Sequence, residues 1–144
     1  MILSQSCEYA IRAVVYIARH EEAHYVSIGT MSRELNISFH FLTKILQKLS
    51  KGGLLVSYRG PRGGIRLAKS ASQISVMDIV TCLDGMKLFT KCILGLAECN
   101  DRQPCPLHDS WAGHRRELSR DFEKLTIKDL VNLSQKSSRR ITTT

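Results

Sequence analysis

The fold of this 144-residue chain is decided by residues 27–67, which read SIGTMSRELNISFHFLTKILQKLSKGGLLVSYRGPRGGIRL. Ser27 can cap a helix with its hydroxyl, and the apolar stripe that follows has the helical period. That stripe consists of Ile28, Met31 and Leu35. Asn36 suits the left-handed conformation that ends such a helix, and Ser38 can cap the next one. The pattern predicts two short helices joined by a tight turn, a helix-turn-helix.

The second of these helices leads into a β-hairpin. Its inward face is predicted to consist of Phe41, Leu42, Ile45, Leu46 and Leu49, and Gly52-Gly53 stops it. The period then changes to two, which predicts a strand over 54–58, a Gly- and Arg-rich turn over 59–64 and a returning strand over 65–67. A hairpin with arginines at its tip, placed directly after a recognition-type helix, predicts a winged helix-turn-helix.

The flanking segments are predicted to be helical. An amphipathic helix runs from about residue 6 to 20, and Ser75 with Asp78 has the capping-box spacing that opens a short helix closed by Gly85. Thr126 can cap a final helix. The predicted fold is mainly α with a small β-hairpin wing and a long dimerisation helix. We divide it into a DNA-binding domain (1–85), a cysteine-rich loop (86–110), the dimerisation and terminal helices (111–135) and a disordered tail (136–144).

A narrow apolar seam follows the cysteine-rich loop. Its members, spaced 4, 3, 4 and 3 residues apart, are Trp111, Arg115, Leu118, Phe122 and Leu125. Such a seam is typical of a helix that packs against one partner helix. Trp111 and Phe122 also fit a core within the chain, but the seam lies outside the DNA-binding module. We therefore favour a dimer contact.

The charge of the chain is concentrated on the predicted helix-turn-helix and wing. The formal net charge is +8, and residues 33–69 hold eight basic side chains against one acid, Glu34. The eight are Arg33, Lys44, Lys48, Lys51, Arg59, Arg62, Arg66 and Lys69. Residues 70–144 are close to neutral. This distribution predicts double-stranded DNA as the partner.

The composition argues against a membrane or secreted protein. Hydrophobic residues make up 43% and charged residues 24% of the chain. The longest apolar run, residues 13–18, is far shorter than the roughly 20 residues of a membrane span. Nothing near Met1 resembles a signal peptide. We expect a cytoplasmic protein without a membrane or small-molecule partner.

The DNA-contacting residues are expected at the start of the recognition helix and on the wing. A recognition helix enters the major groove with its first turns, and a wing follows the backbone or the minor groove. The predicted contacts are Ser38, His40, Phe41, Thr43, Lys44, Lys48, Arg59 and Arg62. Lys44 can reach guanine or a phosphate, and Lys48 is expected to touch phosphates.

The cysteines call for a chemical explanation. A cytosolic chain with an odd number of cysteines is not expected to carry a disulfide framework. Three of the five form the pattern Cys92-x6-Cys99-x5-Cys105, followed by x2-His108. Three thiolates and an imidazole suit an iron–sulfur cluster or zinc, and reactive or structural thiols remain open. Cys7 and Cys82 read as structural. A thiol enzyme using Cys105 and His108 is disfavoured because no redox motif or substrate site accompanies the pair.

The sequence resembles the Rrf2 family of bacterial winged-helix regulators. The resemblance covers about residues 1–135 and rests on several motifs. They are Met1-x-Leu-Ser, Glu8-Tyr-Ala, Leu54, Arg59-Gly-Pro-x-Gly-Gly64, Ile74-x-Val-x-Asp-Ile79 and the cysteine loop with His108. The resemblance implies a homodimer that binds a palindromic operator, with cluster status altering how the recognition helices are presented. Oxidants, nitric oxide or iron shortage would be the signal. We expect a transcriptional regulator that acts as a repressor, and not an enzyme.

The resemblance also implies the ligands. In IscR-like members three cysteines and a histidine hold a [2Fe-2S] cluster, and these positions match Cys92, Cys99, Cys105 and His108. In NsrR-like members an acid at the start of the first helix of the other subunit completes a [4Fe-4S] site, and Glu8 stands there. His108 favours the [2Fe-2S] arrangement. The first interval here is one residue longer than in IscR-like members, and cluster-free members usually lack this cysteine set.

Overall fold

The computed structural model describes residues 2–136 and 139–141. Within these residues it forms seven α-helices, a two-stranded sheet and a short 3-10 turn. The helices are α1 (Gln5–Arg19), α2 (Ile28–Leu35), α3 (Phe39–Lys51), α4 (Val76–Asp84), α5 (Lys87–Thr90), α6 (His108–Lys124) and α7 (Ile127–Lys136). The strands are β1 (Leu55–Tyr58) and β2 (Gly64–Leu67). The tail expected over 136–144 falls largely on residues 137–138 and 142–144, outside the described residues.

The helix-turn-helix forms as its capping residues predict. The Ser27 hydroxyl accepts a hydrogen bond from the Thr30 backbone N–H at 3.4 Å, and the Ser38 hydroxyl accepts one from Phe41 at 3.4 Å. Asn36 between them is left-handed, with φ 54°. The two hydroxyls satisfy backbone N–H groups that lack a partner within the helix, and Asn36 turns the backbone at the end of α2. The prediction of a winged helix-turn-helix is confirmed.

The wing is anchored to the turn before α2. β1 and β2 pair antiparallel, with Tyr58 opposite Gly64 at the tip. Val26 forms a bridge to Ile65 through two backbone hydrogen bonds of 2.8 and 2.9 Å. The Tyr25 and Tyr58 rings stack at 5.2 Å between centroids. The hairpin is therefore held from outside the recognition helix.

The main hydrophobic core includes the last helix of the chain. Its members come from α1 to α4 and the hairpin, and the fully buried Ile127 of α7 joins them. The capping box of Ser75 and Asp78 starts α4 as expected. Beside it the chain returns, with Val76 N–H donating to Leu125 O at 2.8 Å and Ile127 N–H to Ile74 O at 2.9 Å. The core of the DNA-binding half thus contains a helix that the sequence-based division placed in a separate segment.

The seam of α6 packs within the chain. Leu118, Phe122 and Leu125 contact a second buried cluster built around Phe89 and Val80 of α5 and α4. The Phe89 and Phe122 rings meet edge-to-face, with centroids 5.8 Å apart. Part of the seam therefore packs on α4 and α5 of the same chain, while its residues remain only half-buried. The contact with a partner helix stays a prediction.

The cysteine-rich segment is shorter than expected. The four-residue helix α5 lies inside the segment predicted as loop, and α6 begins at His108 rather than at residue 111. The irregular part is residues 91–107. None of the helices in the described part of the chain has the length and apolar character needed to cross a membrane.

Candidate nucleic-acid interface and cysteine loop

A groove of about 790 Å³ separates the recognition helix α3 from the wing. Phe39, Thr43 and Gln47 line it from α3, and Tyr58 and Arg59 line it from the hairpin. The structure therefore brings the two predicted DNA-contacting elements to one side of the molecule, with a concave surface between them.

Of the side chains predicted to contact DNA, Thr43 and Arg59 line this groove, and most of the others are exposed. His40, Lys44 and Lys48 are exposed on α3, and Arg59 and Arg62 are exposed on the wing. Two hydroxyls are already engaged in holding the helix. Ser38 caps α3, and Thr43 donates its Oγ1 hydrogen to Phe39 O at 2.7 Å. The long basic side chains are thus the freest to reach phosphates or base edges.

One predicted contact needs correction. Phe41 is half-buried against the main core, where its ring meets Tyr9 edge-to-face at 5.6 Å between centroids. The sequence predicted Phe41 both on the inward face of α3 and among the DNA contacts, and the structure agrees with the inward placement. Phe39, which the sequence reasoning missed, is 49% exposed and faces the groove. Because Phe39 is the first residue after the Ser38 cap, its position around α3 could have been used to predict that it faces the groove.

The cysteine loop brings its four predicted ligands together as two pairs. The Cys92 and Cys105 sulfurs lie 3.6 Å apart, and Cys99 Sγ lies 3.3 Å from His108 Nδ1. Within the described residues, no three His, Cys, Asp or Glu side chains converge as a site for one metal ion. The arrangement is therefore two pairs of donors rather than one group of four.

The pair distances fit metal ligation. Two thiolates bound to one tetrahedral metal ion at about 2.3 Å lie about 3.8 Å apart, and a thiolate and an imidazole lie about 3.5 Å apart. Both pairs are within a few tenths of an ångström of these values. Three soft sulfurs and a nitrogen are also the donor types that bind iron–sulfur clusters or zinc. The residues present therefore fit such a group.

The loop shifts the pKa values of the paired thiols Cys92 and Cys105 in opposite directions. The pKa of Cys92 is lowered, chiefly because the Leu96 backbone N–H hydrogen-bonds its sulfur, with Leu94 and Gly95 assisting. The pKa of Cys105 is raised, chiefly by burial. A thiolate at Cys92 is therefore favoured before anything binds, since backbone donors stabilise its charge.

The two remaining cysteines lie outside the loop. Burial, aided by the charge of Asp84, raises the pKa of Cys7 to about 12. Burial also raises the pKa of Cys82, whose thiol lies 3.4 Å from Lys48 O. Both are thus held as neutral thiols, as the structural interpretation expects. Glu8 is exposed in the first turn of α1, whereas His108 lies beside Cys99.

Hydrogen bonds tie the two helices that flank the loop. Trp111 Nε1 donates to Lys91 O at 3.0 Å, and Arg115 donates to Phe89 O at 3.2 Å. Trp111 and Arg115, which the sequence predicted at a partner contact, thus each bond a carbonyl at the end of α5 within the chain. The start of α6 and the end of α5 are therefore bonded to each other on either side of the loop, and we call these two helix ends the α5–α6 frame.

Comparisons with known proteins agree with this architecture. Residues 3–133 match the family model "Rrf2: Iron-dependent Transcriptional regulator". The regulator IscR of Serratia proteamaculans is 32% identical over 132 residues, covering 92% of this chain and 80% of that protein. IscR of Vibrio atlanticus is 32% identical over 131 residues, covering 91% and 75%.

Solved structures show the same fold. IscR of T. potens superimposes with a TM-score of 0.76 at 22% identity, covering 96% of this chain and 91% of that one. CymR of Staphylococcus aureus superimposes with a TM-score of 0.71 at 25% identity, covering 89% and 96%. The relatives are named as transcriptional regulators, so the prediction of a regulator rather than an enzyme is confirmed. The chain belongs to the Rrf2 family of winged-helix transcriptional regulators.

Proposed function

We propose that this chain is a homodimeric repressor of transcription in the cytoplasm whose affinity for its operator depends on an iron–sulfur cluster in the cysteine loop. The observation that carries the proposal is the pairing of Cys92 with Cys105 and of Cys99 with His108. These pairs lie on the same chain as an exposed basic recognition helix and wing.

The pairing favours a [2Fe-2S] cluster over [4Fe-4S] and over zinc. A [2Fe-2S] cluster has two irons, each with two protein ligands, and imidazole can replace thiolate on one of them. A single zinc ion takes all four donors around one centre, so the two pairs would have to move together. The proposed ligands are Cys92, Cys99, Cys105 and His108, with Glu8 as the alternative fourth ligand. When bound, the cluster supplies a centre that reacts with oxidants and nitric oxide.

The chain offers a route from the loop to the recognition helix. Ligation would hold the loop against the α5–α6 frame. The side chains of α6 pack on α4 through the second buried cluster, and α4 packs on α3. Cys82 of α4 lies against the Lys48 carbonyl in the last turn of α3. We propose that a change in the loop shifts α6 and α4 and so alters the presentation of α3, a local switch acting on a two-state element.

The wing is the first place to test DNA contact. Replacing Arg59 with alanine is expected to weaken specific operator binding by about 1–3 kcal/mol, because this exposed guanidinium lines the groove at the wing. The measurement is a binding titration with operator and with scrambled DNA at several salt concentrations.

Lys48 provides the matched control for a phosphate contact. Lys48→Ala is expected to lower affinity for both DNAs alike and to reduce the salt slope by about 1. Unchanged affinity and unchanged sequence preference in Arg59→Ala would show that the wing does not read the operator.

The homodimer needs an interface, and the cysteine loop offers an exposed surface in addition to the predicted seam of α6. Exposed aliphatic side chains concentrate in and beside the cysteine loop, where Ile93, Leu94, Leu96 and Leu107 are each about half exposed. We propose that this patch lies at the contact between two copies, since exposed apolar patches mark interaction sites. Light scattering should give twice the mass of the chain, and a Leu96→Lys variant should shift the mass toward the monomer. A monomeric parent protein would contradict the dimer.

A second candidate is a cluster-free loop that senses through thiols or binds zinc. The observation that favours it is the 3.6 Å approach of Cys92 to Cys105, with a lowered pKa at Cys92. A thiolate beside a thiol can form a disulfide when an oxidant is present.

The deciding experiment measures iron, acid-labile sulfide and zinc per chain, with a visible spectrum, on protein purified without oxygen. Iron and sulfide near two each support the [2Fe-2S] proposal, and values near four support [4Fe-4S] with Glu8 or an external fourth ligand. Zinc alone, or no metal, would leave the regulator and remove the cluster from its mechanism.

A further inference from the structure

His108 uses both of its ring nitrogens. Nδ1 lies 3.3 Å from Cys99 Sγ, and Nε2 lies 2.8 Å from Asp101 Oδ1. The residue as a whole is only 6% exposed. The imidazole is therefore held between a thiol on one edge and a carboxylate on the other, with little freedom to rotate.

We propose that Asp101 is a positioning residue for His108: its carboxylate holds the Nε2–H, so that the Nδ1 lone pair faces the loop as a ligand. The inference rests on the proposed function, because it concerns His108 as a cluster ligand. The side-chain contact that Asp101 makes is with the His108 imidazole. Its effect is transmitted only through the imidazole.

The physical reason lies in how an imidazole chooses its proton. A neutral histidine carries one N–H, and the hydrogen bond that this N–H makes decides which nitrogen is free to bind a metal. Histidines that bind metals almost always donate their other N–H to a carboxylate, carbonyl or water, which orients the ring and strengthens it as a donor. Asp101 is placed to supply this bond.

The loop is built to hold Asp101 in place. The Asn100 side-chain oxygen accepts hydrogen bonds from the backbone N–H groups of Arg102 at 3.1 Å and Gln103 at 2.9 Å. This turn reverses the chain directly after Cys99. The adjacent residue, Asp101, is thereby carried back toward the first residue of α6, so the contact with His108 follows from the local backbone.

The exposure of the two partners makes the inference testable. The Asp101 side chain is 99% exposed, whereas that of His108 is 7% exposed. Removing the carboxylate therefore leaves no cavity, and folding should not suffer. Three variants separate the effects: Asp101→Ala removes the acceptor, Asp101→Asn keeps an acceptor oxygen without the charge, and Asp109→Ala removes a neighbouring exposed carboxylate.

The first measurement uses the cluster-free protein and is independent of any cluster. Nitrogen-15 NMR of the histidine ring, assigned with His108→Gln, should show the Nε2–H tautomer in the parent. Asp101→Ala should give a mixture of tautomers, whereas Asp109→Ala should match the parent. Equal spectra for Asp101→Ala and Asp109→Ala would overturn the proposed hydrogen bond.

The second measurement uses protein loaded with iron and sulfide without oxygen. Asp101→Ala should lose iron to a chelator about 10- to 100-fold faster, the usual effect of removing such a partner. Its nitrogen hyperfine coupling in the reduced cluster should change as well, with Asp101→Asn closer to the parent. If loaded Asp101→Ala matched Asp109→Ala in both its rate of iron loss and its nitrogen hyperfine coupling, the positioning role of Asp101 would be overturned, although the cluster itself would be present. A parent that holds no iron and sulfide would overturn the proposed function, and the ligand role with it, even where the NMR result confirms the hydrogen bond.

Discussion

Replacing Cys99 with alanine is expected to abolish cluster binding. Cys99 forms one of the two donor pairs with His108, and its loss leaves that pair with the imidazole alone. Iron and acid-labile sulfide per chain should fall to background, and the visible absorbance should disappear. If the cluster controls DNA binding, the operator affinity should differ about 5- to 150-fold between loaded parent and variant, the usual range of coupling between two sites.

The chain supplies its own control for this variant. Cys82→Ala also removes one thiol, but from α4, where the sulfur lies against the Lys48 carbonyl and not in the loop. It should retain iron and sulfide at the parent level. Full iron content in Cys99→Ala would contradict the ligand assignment. Equal operator binding by loaded parent and Cys99→Ala would leave the cluster in place and remove its role in sensing.

Replacing Gly64 with alanine is expected to detach the wing. A Cβ at this position would overlap the Val26 carbonyl oxygen and lie 2.7 Å from the Val26 carbonyl carbon. Both are backbone atoms that cannot rotate away, so the bridge between Val26 and Ile65 has to open. We expect unfolding to become easier by about 1–3 kcal/mol, the usual effect of overpacking. Operator affinity should fall by more than about tenfold, because the wing contacts that would be lost contribute about 1–3 kcal/mol each.

Gly29 provides the matched control for the loss of stability. It lies in α2, and a Cβ there would meet only ordinary contacts at 3.8 Å. Gly29→Ala should leave the stability unchanged or raise it by up to about 1 kcal/mol, because alanine favours a helix. Urea unfolding and operator titration would measure both variants. A Gly64→Ala protein with the stability and affinity of the parent would show that the bridge does not anchor the wing.

The elements that formed as predicted are those specified by local chemistry. Ser27, Ser38 and the Ser75–Asp78 capping box each act on backbone groups within three residues, and Asn36 takes the left-handed conformation by itself. Such features are visible in one short window of sequence. The helix-turn-helix and the wing were therefore predictable in type and nearly in their bounds.

The sequence does not decide which surface a residue meets after the chain has folded. The seam of α6 has the same period whether it faces a second copy or α4 and α5, so Phe122 could not reveal its partner by spacing. Phe41 and Phe39 differ only in their angle around α3, and Tyr9 of a distant helix buries one of them. Contacts between distant elements decide both cases.

The candidate metal site was predictable in its residues but not in its arrangement. The types and order of Cys92, Cys99, Cys105 and His108 follow from the sequence, and the proposed ligand role still awaits its experiment. Their division into two pairs depends on the path of an irregular loop. Asp101 was missed because the turn at Asn100, not a periodic element, carries it to His108.

The return of the chain beside α4 makes the cysteine-rich segment an insertion within the DNA-binding core. The segment leaves the core after Asp84, at the end of α4, and re-enters it at Ile127. The backbone bonds of Val76 with Leu125 and of Ile127 with Ile74 fix this return beside the start of the same helix. For a segment whose ends are fixed together, each doubling of length adds only about 0.6 kcal/mol of closure entropy. The extra residue between Cys92 and Cys99 is therefore a minor change in entropy, and one DNA-binding core can carry cysteine-rich segments of different lengths.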